Sequence, residues 1–420
     1  MTRLHIGYLT HYFHPEPGAP AARAFDLGRF WVALGHRVSA LTTLPNHPEG
    51  RIRPDYRGRL AMVETMAGMT VHRRWLYPSA RRSAIATGLC HGSFALHVTL
   101  ASWLGRTPRP DLWIASSPPL FTGWAGARVA AHHHVPLVLE VRDLWPDYFA
   151  EMGVLTNRLA LRLLRRLERS LYAHAAAIVT VAQGARTWLI ERKSVPAAKV
   201  HCIPNGVDPE RFAPAPEAAA AVRRRLGLDG KFVVGYIGNH GLGQRLEAVI
   251  DAARLLRPES GAHFLFVGDG ADKARVAARA AEARLDNVTF VPPCSRDEVP
   301  GFYQAADVCL VPLADIPSFR HTIPSKVFEM LGSARPVIGA LRGEGAEVIT
   351  RSGGGMVVAP ADSAALAGAV RQLQALTAEQ RGALGSQGRR FVAENYNRRR
   401  LAERYLEILR DVKAGAVQSR

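Results

Sequence analysis

The 420-residue sequence predicts an α/β protein built of two Rossmann-like, doubly wound domains in tandem. Three observations carry that expectation. The chain opens with an apolar strand, a glycine-bearing loop, a helix and a second strand, the pattern of a parallel α/β unit. A second strand–helix series of the same kind begins at 231. Between them, 206–230 (GVDPERFAPAPEAAAAVRRRLGLDG) is rich in Pro, Ala and Gly and reads as a linker ending in a short helix. The expected divisions are a domain 1–205, the linker 206–230, a domain 231–395, and a last helix within 396–420 that returns toward the first domain. An interdomain cleft is expected where the carboxyl ends of the two sets of strands face each other.

In the first domain LHIGYLT (4–10) is a strand, and HYFHPEPGAP is a loop with three prolines and a glycine. The helix AARAFDLGRFWVALGH follows, with Gly35 at its end, and then the strand HRVSALTT. Residues 62–75 read as a strand or hairpin. The stretch 83–105 has no charged residue for 23 positions and is flanked by Arg81, Arg82 and Arg106. Its length would span a bilayer, but two histidines, five Ser/Thr and three glycines suit a helix at a membrane interface or a buried helix better. DLWIASSPP (111–119) and PLVLEV (136–141) are buried strands, and Arg142 and Asp143 project from the end of the second toward the crevice. His132, His133 and His134 stand at a helix end where adjacent side chains diverge, so no metal is expected there. Residues 158–172 form a basic amphipathic helix with Arg158, Arg162, Arg165, Arg166 and Arg169, fit for solvent or for anionic head groups. AIVTVA (177–182) and VHCIPN (200–205) complete this half. In the second, the strands FVVGYIGN, HFLFVGDG, VTFVP, DVCLVPL, PVIGAL and GGMVVAP alternate with helices at 243–257, 271–284 and 295–305. Three more helices run from 362 to about 413.

Composition narrows the function. Four cysteines without CxxC spacing indicate neither a disulfide framework nor a zinc site. The N-terminus runs straight into a strand, so a cytoplasmic location is expected. Net charge is +18 and uneven: residues 1–200 carry 25 Lys and Arg against 12 Asp and Glu, and 201–420 carry 29 against 24. Basicity concentrated in one half points to a polyanionic partner, a membrane surface or nucleic acid. Against nucleic acid, the chain has no helix-turn-helix, zinc or RNP-type signature, and its basic residues are not interleaved with stacking aromatics. Neither first strand is followed by the GxGxxG fingerprint of a dehydrogenase.

The stretch 322–347 carries the chemistry. Pro324, Ser325 and Lys326 stand where a helix begins, and a helix N-terminus beside a lysine is an anion site, with phosphate the expected anion. Glu329, one turn on, can accept hydrogen bonds from a sugar hydroxyl. The turn Gly238-Asn239-His240-Gly241 between strand and helix offers backbone N–H groups to a phosphate.

Taken with VGDG (267–270), AADVCLVPL (305–313), PSKVFEMLGSARPVIGA (324–340), EGAEVI (344–349) and SGGGMVVAPAD (352–362), the order and spacing resemble the family 4 glycosyltransferases of GT-B fold. PLVLEVRDLWPD and IPNGVDPERF extend the likeness into the first half, toward the branch that includes bacterial N-acetylfucosamine-type transferases of O-antigen and capsule assembly. The resemblance implies retention of anomeric configuration without a metal or other cofactor, a nucleotide-sugar donor (UDP-linked) and a lipid-linked saccharide acceptor. With the basic first half and the stretches 83–105 and 158–172, a peripheral seat on the inner face of the cytoplasmic membrane is expected. The resemblance assigns Glu329 to the ribose, Lys326 and the Gly238–Gly241 turn to the diphosphate, Ser325 to the donor, and Gly345, Ala346 and Glu347 to the transferred sugar and nucleotide. Gly18 lets the first loop approach the donor phosphates. His321 stands where the first glutamate of the family's pair belongs, and Asn239 and Gln244 fall near its usual Arg and Lys, so Arg245 is expected to join Lys326 in supplying the charge. Arg142 takes the place of a common histidine, and Asp143 is a candidate to orient the acceptor hydroxyl. A nucleotide-sugar 2-epimerase on the same fold is the alternative.

Overall fold

The computed structural model describes residues 3–80, 83–256 and 261–418. They form two compact units, 1–204 with 398–420, and 205–397. Arg81 and Arg82 lie outside the described residues.

The first unit runs β1 (His5–Leu9), α1 (Ala19–Ala33), β2 (Arg37–Thr43), β3 (Ala61–Met66), β4 (Met69–Arg74), α2 (Ala84–Trp103), β5 (Leu112–Ser117), α3 (Leu120–His133), β6 (Leu137–Val141), α4 (Asp147–Glu151), α5 (Arg158–His174), β7 (Ala177–Thr180), α6 (Gln183–Lys193) and β8 (Val200–Cys202). Its eight-stranded sheet has the order β3-β4-β2-β1-β5-β6-β7-β8, parallel except for the β3–β4 hairpin. Register is set by apolar neighbours: Ile6 lies opposite Val38 on one side and Leu112 on the other. Every residue of β5, β6 and β7 is buried, as a parallel sheet covered on both faces requires, whereas the edge strand β3 alternates. Strand order reverses between β1 and β5, so the loops after those strands open the crevice in which α/β sheets take ligands.

The C-terminal helix, Arg398–Gln418, packs into this unit's core through Leu401, Ala402, Tyr405, Leu406 and Leu409. Trp31 of α1 donates its indole N–H to the Ala402 carbonyl at 2.9 Å, and Arg398 pairs with Asp26, both buried. Helix α2 is two-faced. It buries Phe94, Ala95, Val98 and Ala101 and turns Ile85, Leu89, Leu96, Leu100 and Trp103 outward. Among the described residues no helix is long and apolar enough to cross a membrane. The histidine triplet is structural in part. His133 Nδ1 accepts from Trp113 Nε1 at 3.2 Å, and its Nε2 lies 3.1 Å from Ser102 Oγ.

The second unit runs α7 (Pro216–Leu226), β9 (Phe232–Ile237), α8 (Leu246–Leu255), β10 (Ala262–Val267), α9 (Lys273–Glu282), β11 (Val288–Val291), α10 (Val299–Ala305), β12 (Val308–Pro312), α11 (Ser325–Gly332), β13 (Val337–Ala340), α12 (Glu344–Ser352), β14 (Gly355–Val358), α13 (Ser363–Ala375) and α14 (Ala378–Asn395), with the C-terminal helix of the first unit as α15. The six strands lie in the order β11-β10-β9-β12-β13-β14, all parallel, the doubly wound order with its reversal between β9 and β12.

One sequence expectation fails here. Residues 206–230 are part of the second unit and not a linker. Helix α7 packs against α10, and Arg223 donates to the Ala305 carbonyl at 2.9 Å and pairs with Asp307 at 2.5 Å. Asp307 also accepts the N–H of Val233, so the same carboxylate anchors the start of β9. A Pro- and Ala-rich composition looks like a tether, but its fate is decided by a carboxylate some eighty residues away.

Candidate active site

In the second unit the loops at the strand-order reversal are drawn together by their own backbone. The N–H of Ala314, just past β12, donates to the Gly243 carbonyl in the loop after β9 at 2.8 Å. Lys326 lies in the first turn of α11, and its Nζ donates to Tyr236 Oη at 3.0 Å while standing 4.1 Å from the centre of that ring. Tyr236 in turn donates to the Asn239 carbonyl. Gly238 is at φ +140, and a Cβ there would lie 2.8 Å from Lys326 Nζ, so only glycine lets the ammonium come so close to the turn. Burial pushes the Lys326 ammonium down to about 7, with Glu329 acting weakly in the other direction. It makes no ion pair among the described residues.

Two helix N-termini meet beside it. Helix α11 starts at Ser325 behind Pro324, and α12 starts at Glu344 behind Gly343. A Cβ on Gly345 would lie 3.1 Å from Pro324 Cδ, so the first turns of the two helices are in contact. Partial positive charge from both adds to Lys326 at one spot. Glu329 is held by Tyr303, whose hydroxyl donates to Oε2 at 3.2 Å. Ala346 and Glu347 lie in the first turn of α12, Glu347 exposed, and His321 ends a 3-10 turn at 317–321.

The glycine turn departs from its expected role. The Gly238 N–H is taken by the Val267 carbonyl, the His240 N–H by the Asp269 carbonyl, and the Gly241 N–H by Gln244 Oε1 at 3.1 Å. Of the three, only the last bonds to a side chain that a ligand can displace. The ring of His240 is fully buried against Tyr236, Phe266 and Phe290, and it packs into the unit without facing an anion. Burial, with Lys273 and Lys326 nearby, lowers its imidazole to about 4. Asn239 is exposed at the tip of the turn. Arg245 adopts the left-handed conformation at φ 49, and its half-exposed guanidinium pairs with Glu247 at 3.0 Å.

In the first unit, Arg142 is engaged by its own neighbours. Its Nε donates to Ser116 Oγ at 2.8 Å and its Nη2 to the Pro118 carbonyl, bracing the β5 loop against the end of β6. Asp143 next to it is exposed and does not cap α4, which begins behind Pro146. Gly18 closes the first loop as the N-cap of α1.

Three groups there were not singled out from the sequence. Glu16, the one acid of the first loop, accepts the N–H groups of Asn46 (2.8 Å), His47 (2.9 Å) and Phe13 (3.3 Å), and burial lifts its carboxyl to about 7 against those bonds. Glu140, inside β6, accepts from Tyr8, Ser116 and Arg23 beneath the same loops. His11 is buried edge-on to Tyr12, His91 and Phe94, and burial lowers its imidazole well below the usual range. A single acid in a loop of histidines and prolines was the available signal for the first; the other two depend on contacts across the fold.

Comparisons with known proteins agree with this geometry. Residues 18–206 match the glycosyl transferase 4-like domain and residues 231–375 the glycosyl transferases group 1 domain. WcaI of Escherichia coli (strain K12), whose name gives colanic acid biosynthesis, is 30% identical over 304 residues, 71% of this chain and 74% of WcaI. The glycosyltransferase WbjE of Pseudomonas aeruginosa is 28% identical over 277 residues, 65% of this chain and 68% of WbjE. In fold, the chain is similar to Anabaena HepE crystallised with UDP and glucose (TM-score 0.74, 16% identity, 97% of this chain and 100% of that one). It is similar also to sucrose-phosphate synthase of Thermosynechococcus elongatus (TM-score 0.77, 19% identity, 98% and 100%). The paired parallel sheets, the anion-ready edge of the second and the match to both domains lead to one conclusion: the chain belongs to the family 4 glycosyltransferases of GT-B fold.

Proposed function

We propose that the enzyme moves an N-acetylated hexosamine or deoxyhexosamine from a UDP-linked donor to a lipid-linked glycan in cell-surface polysaccharide synthesis, with retention and without a metal. The observation that carries the donor side is the convergence of Lys326 with the N-termini of α11 and α12. As the glycosidic bond breaks, negative charge grows on the leaving diphosphate. Fixed dipoles and a buried ammonium stabilise that charge more than they stabilise the ground state. Glu329, oriented by Tyr303, is suited to accept from ribose hydroxyls. The names of WcaI and of the complexed HepE support the polysaccharide and UDP parts of this reading.

On the acceptor side, the basic first unit and the outward apolar stripe of α2 support a peripheral seat on an anionic membrane, on the cytoplasmic face where nucleotide-sugars are made. The test is a mass-spectrometric screen of nucleotide-sugars, followed by NMR of the transferred anomer. Transfer with inversion would refute the mechanism. Release of an epimerised sugar from the donor alone, with no acceptor, would favour the 2-epimerase instead.

A further inference from the structure

Helices α5 and α6 of the first unit border an open cavity of about 570 Å³. Six cationic side chains line it against two carboxylates, Asp147 and Glu168. Both acids are already neutralised, Asp147 by Arg165 (3.0 Å) and Lys193 (2.5 Å), and Glu168 by Lys193 (2.9 Å). Arg158, Arg162, Arg169 and Arg192 have no carboxylate partner among the described residues, and Arg192 lies over the Trp188 ring that walls the cavity. Four uncompensated guanidiniums around one hollow repel each other, and a multivalent oxyanion relieves that repulsion.

The surroundings of the cavity are apolar as well as basic. Leu159 and Leu163 stand 61% and 59% exposed, one turn apart, among these arginines, where a merely solvated helix face would carry polar residues. Helix α5 packs on α3 and α3 on α2, so the outward stripe of α2 belongs to the same layer of helices. Cations around exposed apolar residues are the composition of a surface lying at a lipid head-group boundary.

We propose that this pocket binds the phosphate of an anionic lipid head group. The proposal rests on the peripheral-membrane reading above and gives it a defined site. The charge is concentrated accordingly. The first unit holds 32 Lys and Arg against 15 Asp and Glu, and the second 22 against 21, so almost all of the chain's +18 resides in the unit that carries the pocket.

The test uses the full chain and vesicles of phosphatidylcholine with and without phosphatidylglycerol. Wild type should float with the anionic vesicles and be released by salt. Arg162→Glu with Arg169→Glu should weaken binding about tenfold or more, and the milder pair R162Q/R169Q should fall between. All four residues of the pairs R162E/R169E and R224E/R254E are exposed, and the second pair, in the second unit, removes the same net charge. It should leave binding unchanged. Equal loss with both pairs, or no loss with the first, would overturn the pocket while leaving the membrane reading intact. Failure of wild type to bind any vesicle at low salt would overturn both. Glycerol 1-phosphate binding as tightly as the vesicles would assign the site to a soluble phosphate ester and overturn the lipid source, and preferential binding of single-stranded DNA would do the same.

Discussion

Lys326 is held at about 7 by burial, where an unperturbed lysine titrates near 10.5. Between those values the unfolded chain binds a proton that the folded one does not. The ligand-free protein should therefore gain stability as pH rises from about 7 toward 10, and lose that gain over the same interval as pH falls back to about 7. A diphosphate beside Nζ favours the charged form, so UDP binding at about pH 8 should take up a proton. Calorimetry in buffers of different ionisation enthalpy measures that uptake, and Lys326→Met should abolish it. Lys326→Ala should lower turnover about 10²-fold, the scale of losing a transition-state charge contact. Arg245 presents the reverse trade: its left-handed backbone costs a non-glycine residue about 1 kcal/mol. Arg245→Gly should raise the urea midpoint while lowering turnover; no loss of turnover would leave its charge without a catalytic part. Lys326, Ser325 and Glu329 could be read from PSKVFEML, because proline, helix start and lysine are local signals. The occupied N–H groups of Gly238 and His240 could not, since their acceptors are carbonyls at 267 and 269.

Among the elements, α15 shows how much stability the first unit draws from the end of the chain. Tyr405 is fully buried, lies edge-on to Trp31 at 5.5 Å, and leaves its hydroxyl without a hydrogen-bond partner among the described residues. Removing an unsatisfied buried hydroxyl while keeping the ring is favourable, so Tyr405→Phe should stabilise by about 1 kcal/mol. Tyr405→Ala opens a cavity and should cost about 3–5 kcal/mol. Chemical denaturation checks both, and destabilisation by the phenylalanine would mean that the hydroxyl has a partner. Most strands of both sheets were legible as apolar runs, whereas 62–75 was legible only as a strand or hairpin because its edge strand β3 alternates. Helix α7 was not, because its Pro and Ala content resembles a tether and its anchor, Asp307, lies in another element. Helix α2 was legible only as an alternative between buried and interfacial. The structure divides it lengthwise into one buried and one exposed face.

For the whole molecule, charge follows the division into units. The second unit is nearly neutral; the first carries nearly all the excess. Halving the sequence at residue 200 understated this, because the arginine-rich α15 folds with the first unit. The protein should sediment with anionic liposomes at low salt and be released as ionic strength rises, because screening shortens the reach of such a surface to about 8 Å at 0.15 M. In the proposed function the donor diphosphate sits at Lys326 between the first turns of α11 and α12. Calorimetric titration of UDP into wild type and Lys326→Ala measures whether it does. Wild type should bind UDP, and the substitution should weaken binding about tenfold or more; equal affinity in the two proteins, or no UDP binding by wild type, would show that the diphosphate sits elsewhere.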